Sequence, residues 1–363
     1  MRLIRDWFQR HFSDPQVVIL VGLLIVVFAA IYFLGRLVVP FLVGLVMAYL
    51  LEGLVRLLTR WYIPRLLAVL IVFFGFMTGS LFALFWLLPL LTKQVAQLVQ
   101  QIPGLITQTQ ALLLQLPERY PNFISDEQVV EFTSALRTEL FNFGQRLLTF
   151  SVASLTGLIT LIVYLIIVPM LIFFFLKDKS AIMGWMSTFL PHERRLASQV
   201  WHEVDRQIGN YIRGKFLEIL IVWAGTYGTF YWLGLQNAML LGLVVGLSVL
   251  IPYIGAAVVT LPVAIVAYAQ WGFGDQLLYV LIAYAIIQAI DGNILAPLLF
   301  SEAVDIHPVA IILAILVFGG LWGFWGIFFA IPLATVVQAV LRAWPRPVAT
   351  PVSQPPRETS PSE

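Results

Sequence analysis

The sequence predicts an all-α integral membrane protein with about eight transmembrane helices. Three observations carry that reading. Of 363 residues, 60% are hydrophobic and only 11% are charged, whereas soluble domains run nearer to a quarter charged. Apolar runs of the roughly 20 residues needed to cross a bilayer recur between charged residues. Lysine and arginine also divide unevenly between alternate loops, as they do in multi-pass proteins. A net charge of +2 is too small to point to a nucleic-acid partner. The chain has no cysteine, which excludes disulfides, thiolate metal sites and cysteine nucleophiles.

In chain order, residues 1–16 read as a basic amphipathic lead-in on the cytoplasmic side. The apolar run after it has no small-residue cleavage site, so it reads as a retained first span and not as a signal peptide. Spans one to three occupy 17–91. Span one lies between Asp14 and Arg36, near Val17–Leu34. Span two runs from Arg36 to about Leu58 and ends at Arg56, Arg60 and Arg65, with Pro64 as a breaker. Span three follows as far as Lys93, and Pro89 is expected to kink it.

Residues 92–150 form a polar, glutamine-rich segment placed outside the cytoplasm. Val95, Leu98, Val99 and Ile102 repeat at helical spacing. Pro103–Gly104 should end that helix, and Pro117 and Pro121 mark a second break. A further amphipathic helix is expected from Ser125, with a Ser125/Gln128 capping box and an Ile124/Val129 staple. Too short to bury much core alone, the segment reads as a helical cap on the spans.

Span four fills 151–176. Residues 177–210 are amphipathic, with Leu196, Val200, Val204 and Ile208 opposite Glu203, Asp205 and Arg206. Residues 211–343 are read as spans five to eight and as the transport core. Span five is Tyr211–Leu233, Gly234–Asn237 is a turn, and span six is Met239–Gln270 with a break at Pro252–Gly255. Span seven is Gln276–Phe300 and span eight Pro308–Ala343. Residues 344–363, rich in proline and serine, are expected to be a disordered tail. This topology puts 16 of the 21 lysines and arginines on one side, so both termini are assigned to the cytoplasm.

Asp291 leads the candidate site residues. Tyr284, Gln288 and Asp291 fall at i, i+4 and i+7 on one face of span seven, with Asn293 just beyond. A carboxylate at membrane depth is costly and usually belongs to a transport or coupling pathway; the alternative is an acid that fixes helix packing. Glu302, Asp305 and His307 form the polar turn before span eight, either a gate for a cation or proton or a solvated turn with Pro308 opening a helix. Pro252, Gly255 and Pro297 are candidate helix breaks or gates; broken helices free backbone groups that transporters use to line cavities. Arg213, Lys215 and Glu218 stand at the cytoplasmic entry of span five, where Lys215 and Glu218 can pair at i, i+3. Gly319, Gly323 and Gly326 read as close-packing residues, within or between subunits. His192-Glu193 and His202-Glu203 lack the second histidine of a zinc helix. No metal, no cofactor and no enzymatic activity are expected.

Several stretches together carry a family resemblance: Lys177-Asp178, Gly209-Asn210-Tyr211-Ile212-Arg213-Gly214, Pro252-Tyr253-Ile254-Gly255, Asp291 through Pro297, His307-Pro308 and Ala330-Ile331-Pro332. The chain resembles the autoinducer-2 exporter (AI-2E) family of bacterial membrane proteins, and within it the PerM-type permeases, from Val17 to Leu341. Many relatives have glutamine where this chain has Lys215. The resemblance implies eight spans, an extracytoplasmic segment between spans three and four, and residence in the bacterial inner membrane. It implies transport of a small solute such as a signalling molecule, or exchange of sodium or lithium for protons, in assemblies of several subunits. A membrane scaffold that recruits a partner is the other function class.

Overall fold

The computed structural model describes residues 15–113, 155–188, 195–252, 254–300 and 306–343, with isolated positions between 127 and 142. The lead-in before Pro15, the Pro117/Pro121 break, the capping box at Ser125, the residues Glu302 and Asp305, and the tail from Trp344 lie outside the described residues.

Helix α1 (Pro15–Arg60) is one continuous helix of 46 residues, about 69 Å long at 1.5 Å per residue. The turn expected at Arg36 is absent. A lone arginine is a good helix former, and even Pro40 is carried inside the helix. The reversal comes instead at Trp61–Tyr62, where Tyr62 adopts φ 63° and Pro64 follows.

Helix α2 (Arg65–Phe82) passes through a π-turn at Ala83–Leu87 into α3 (Leu88–Leu113). The Leu88 N–H reaches back five residues to the Ala83 carbonyl. Pro89, the next residue, has no N–H to give, and a local widening re-satisfies groups that a proline frees. The helix also continues through Pro103, where a break was expected. One missing bond, worth about 3 kcal/mol, does not outweigh the rest of a 26-residue helix.

Helix α4 (Leu155–Lys177) packs on α1 and α2 through a core of Ala48, Leu51, Val55, Ala68, Val69, Val72, Ile172 and Leu176. Gly44 permits the approach: a Cβ there would lie 2.9 Å from the Leu171 Cβ. After the short α5 (Lys179–Thr188), α6 (Arg195–Trp232) is one helix of 38 residues. The amphipathic segment and span five are therefore continuous, with no break near residue 210.

The turn at Gly234–Asn237 is present, with φ 74° at Gly234 and 56° at Asn237. Helix α7 (Ala238–Ser248) folds back against α6. A Cβ on Gly242 would sit 3.0 Å from the Tyr227 nitrogen, and one on Gly246 2.9 Å from the Ile219 carbonyl. The break at Pro252 also exists, but it does not kink one span. Helix α8 (Ile254–Trp271) returns to where α7 began: the Gln270 amide donates to the Gly234 carbonyl at 2.8 Å and accepts from the Gln236 N–H at 2.7 Å. Helices α7 and α8 are thus a hairpin, and the single span expected over Met239–Gln270 is corrected. Its turn is so tight that a Cβ on Gly255 would overlap the Ser248 carbonyl. Helix α7, 11 residues long, is about 16 Å deep, half the hydrocarbon thickness of about 30 Å.

Helix α9 (Asp275–Ile290) runs through a second π-turn, Asp291–Leu295, into α10 (Ala296–Phe300). Pro297 breaks nothing. As at Pro89, the wide turn lies just before the proline, and the Ala296 N–H bonds the Asp291 carbonyl.

Helix α11 (Pro308–Ala343) contains Gly323 at φ 60°, ψ −135°. A Cβ on Gly326 would overlap the Phe318 carbonyl, and Phe318, Ile327, Ala314, Ile315 and Ala330 share one cluster. In a straight helix residues 318 and 326 would stand about 12 Å apart. The apolar run expected as span eight therefore doubles back at Gly323 into a second hairpin.

The chain is an all-α integral membrane protein. Among the described residues five helices are long and apolar enough to cross a membrane, at 39–60, 65–101, 254–271, 275–300 and 308–338. Two of these lie in the hairpins. The hairpins enter from opposite ends of the bundle: the first is based at Gly234–Asn237, beyond the C-terminal half of α6, and the second packs its base on Tyr211 and Ile212 of the other half.

Candidate functional site

The buried charges converge where α6 meets the second π-turn. Glu218 is 3% exposed, Lys215 5% and Asp291 9%. Lys215 Nζ donates to Glu218 Oε2 at 2.6 Å, as the i, i+3 spacing predicts. Glu218, Asp291 and Lys215 are close enough to act on one another electrostatically. The sequence reading placed Lys215 and Glu218 at a helix entry. The structure buries both side chains, as it does Asp291.

The local fold explains the convergence. Gly214 has no side chain to hold α10 away: a Cβ there would stand 2.9 Å from the Phe300 ring and 3.3 Å from the Leu299 carbonyl. Phe300 in turn covers Lys215, whose Nζ is 5.2 Å from the ring centroid, a cation–π contact in a desolvated place. At the residue next to Glu218, Gly246 of the first hairpin comes close to the Ile219 carbonyl. Tyr284 is buried and its hydroxyl donates to the Ala256 carbonyl at 2.6 Å, which ties α9 to the returning arm of that hairpin.

Not every expected residue joins. Asn293 is exposed and its amide donates to the Ala289 carbonyl of its own helix at 2.8 Å. Two residues past Asp291 a helix has turned by about 200°, so Asn293 leaves the face that Tyr284, Gln288 and Asp291 share. His307 is exposed, and its Nδ1 accepts the Val309 N–H at 3.3 Å, which serves the start of α11. Arg213 points away from Asp291, into a separate polar pocket with Tyr49, Glu52 and Arg56. Gly319 and Gly326 pack one arm of the second hairpin on the other, so the close contact they permit is within the chain.

Among the described residues, the buried polar atoms without a hydrogen-bond partner include Asp291 Oδ1, Gln288 Nε2, Thr226 Oγ1 and Trp223 Nε1. They lie on α6, α9 and the second π-turn. Buried polar atoms are normally paired, which makes these four exceptions in an otherwise apolar region. Thr226 and Trp223 gave no signal in the sequence, where they look like ordinary span residues.

Comparison with known proteins agrees with this architecture. The family described as AI-2E family transporter matches residues 21–346. The chain belongs to the AI-2E transporter family. It is 44% identical over 351 residues to the Escherichia coli (strain K12) protein named "Putative permease PerM", covering 95% of this chain and 98% of that one. It is also 25% identical over 330 residues to the AI-2 transport protein TqsA of the same organism, covering 90% and 91%. As an AI-2E family member it is a multi-pass membrane transporter of the permease type, and the cluster at Lys215, Glu218 and Asp291 lies inside the family region.

Proposed function

We propose that this AI-2E transporter moves a small solute across the bacterial inner membrane, with Glu218 and Asp291 carrying the coupling proton or monovalent cation. The proximity of those two carboxyls supports the reading. Two ionised carboxylates and one ammonium leave one negative charge unbalanced in a buried place, which is expensive. A proton shared between the acids, or a sodium or lithium ion beside them, restores balance. Lys215 holds Glu218 in position through their 2.6 Å bond. Release of the bound cation restores the uncompensated charge, and that penalty couples cation binding to movement of the elements around it.

The two hairpins give such movement a substrate. The turns at Ser248–Pro252 and Gly323 bring irregular backbone inside the bundle, where it is tolerated only if protein or a cavity satisfies it. The candidate cargoes are AI-2, which the name of TqsA gives for that protein, or Na+ or Li+ exchanged for H+ at the paired acids. The proposal places both termini in the cytoplasm and several copies in the working assembly.

The test is flux in proteoliposomes under an imposed proton or sodium gradient. Wild-type protein should transport, and Asp291→Asn should lose both the flux and its dependence on the gradient. Equal flux and equal pH dependence in the two proteins would remove Asp291 from the mechanism.

A further inference from the structure

A second charged site lies at the junction of α1 and α6, apart from the Asp291 cluster. It is a pocket of about 150 Å³ bordered by Tyr49, Glu52, Arg56, Asp205, Asn210 and Arg213. Arg206 also lines it, but bonds Glu203 at 2.7 Å. At roughly 30 Å³ per water, the space holds about five waters, or one tetrahedral anion with part of its hydration shell.

The charges around the pocket are matched except for one. Glu52 is held by Arg56 and by Arg65, each at 3.4 Å. Asp205 accepts the Tyr49 hydroxyl at 2.5 Å and lies 4.0 Å from Lys179. Arg213, half-buried, has no carboxylate within ion-pair distance among the described residues. Its Nη2 donates to the Asn210 amide oxygen at 2.8 Å, which leaves most of a five-donor fork unused.

The position of that guanidinium is built. A Cβ on Gly53 of α1 would stand 3.0 Å from Arg213 Cδ, and one on Gly209 of α6 3.4 Å from Nη2. Two glycines on two helices therefore make the channel through which the side chain threads. A planar fork fixed beside a second arginine, Arg56, is the arrangement that recognises phosphate. The level in the membrane agrees. Glu52 and Arg56 occupy the last turns of the apolar stretch that ends at Arg60. Just past it Trp61 is 69% and Tyr62 98% exposed, as aromatic residues are at the headgroup layer.

We propose that the Arg56–Arg213 pocket binds a phosphate group, supplied by an anionic phospholipid headgroup or by a soluble phosphate. The ligand completes the Arg213 fork and bridges α1 to α6, the helix that carries Lys215 and Glu218. The site stands independently of the transport reading.

The experiment uses the full chain purified in phosphatidylcholine nanodiscs. Binding of short-chain phosphatidylglycerol and of inorganic phosphate is measured separately by native mass spectrometry and thermal shift. Wild-type protein should retain at least one of the two. Arg213→Gln should weaken retention about tenfold or more, as expected for loss of a charge-assisted bidentate contact. Arg213→Lys, which keeps the charge without the fork, should fall between and guards against a folding artefact. Arg60→Gln, on the same end but outside the pocket, should bind as wild type does. Retention of phosphatidylglycerol alone assigns the lipid as source, and saturation by inorganic phosphate alone assigns a soluble ligand. No binding of either probe to wild type, equal binding by Arg213→Gln, or equal loss in Arg60→Gln would overturn the site.

Discussion

Glu218 on α6 and Asp291 at the head of the second π-turn are both buried and close enough to interact electrostatically, 73 positions apart in the chain. Lys215 closes the group at 2.6 Å from Glu218. This contact is where the helix that enters the core meets the helix that follows the first hairpin, and two of the predictions below test it.

The first concerns the acids. Glu218→Gln should behave like Asp291→Asn and reduce gradient-driven flux at least tenfold, the scale of a lost charge-assisted interaction. Proteoliposome uptake measured at several external pH values checks this. Full flux in Glu218→Gln with loss only in Asp291→Asn would mean that the two acids do not act as a pair.

Lys215 separates stability from function. Lys215→Met leaves buried carboxylates without their cation and should destabilise the fold by about 3–5 kcal/mol. The double variant Lys215→Met with Glu218→Leu removes charge and partner together and should recover most of that loss, while remaining inactive. Melting of the purified protein in detergent provides the stability measurement and flux the other.

The doubled-back α11 can be tested because the chain has no cysteine. Phe318→Cys with Ile327→Cys places two thiols in one packed cluster, so a short thiol cross-linker should join them within one chain in high yield. In a straight helix those positions are about 13 Å apart, and the reagent would fail. Intact mass and peptide mapping distinguish the outcomes.

Glycine substitutions test the same hairpin energetically. Gly326→Ala collides with backbone at Phe318, whereas Gly320 has open space around its would-be Cβ. Gly326→Ala should lower the melting temperature, with a cost of roughly 1–3 kcal/mol. Gly320→Ala should be neutral or slightly stabilising.

Pro297→Ala restores a backbone donor just after the second π-turn. The helix is then free to return to α geometry, which rotates Asp291 relative to Phe300 by about 100°. Flux should fall severalfold while helix content by circular dichroism is unchanged.

Much of the architecture was legible in the sequence, for physical reasons that also explain what was not. Membrane character follows from composition. The turn at Gly234–Asn237 follows from residues that accept positive φ, and the break at Pro252 from a missing donor. The Lys215–Glu218 bond follows from helical spacing. Charge used as a fence misled at Arg36, where the helix runs on, and at Lys215 and Glu218, where partners make burial tolerable. Hydropathy cannot tell a span from two half-length arms, because both are continuously apolar; α7–α8 and α11 are distinguished only by contacts such as Gln270 with Gly234. The Glu218–Asp291 meeting depends on how α6 packs on α9, which no local pattern records.

The pairing of each π-turn with a proline has a mechanical consequence. At Pro297 the missing hydrogen keeps the surplus residue in the turn from migrating along the helix, since an ordinary register would leave a carbonyl stranded in oil. Asp291 is thus clocked to its angle by an atom that is not there. A chain shortened by one residue within 291–295 would still coil, but it would carry Phe300 a quarter-revolution off Gly214 and uncap the lysine beneath.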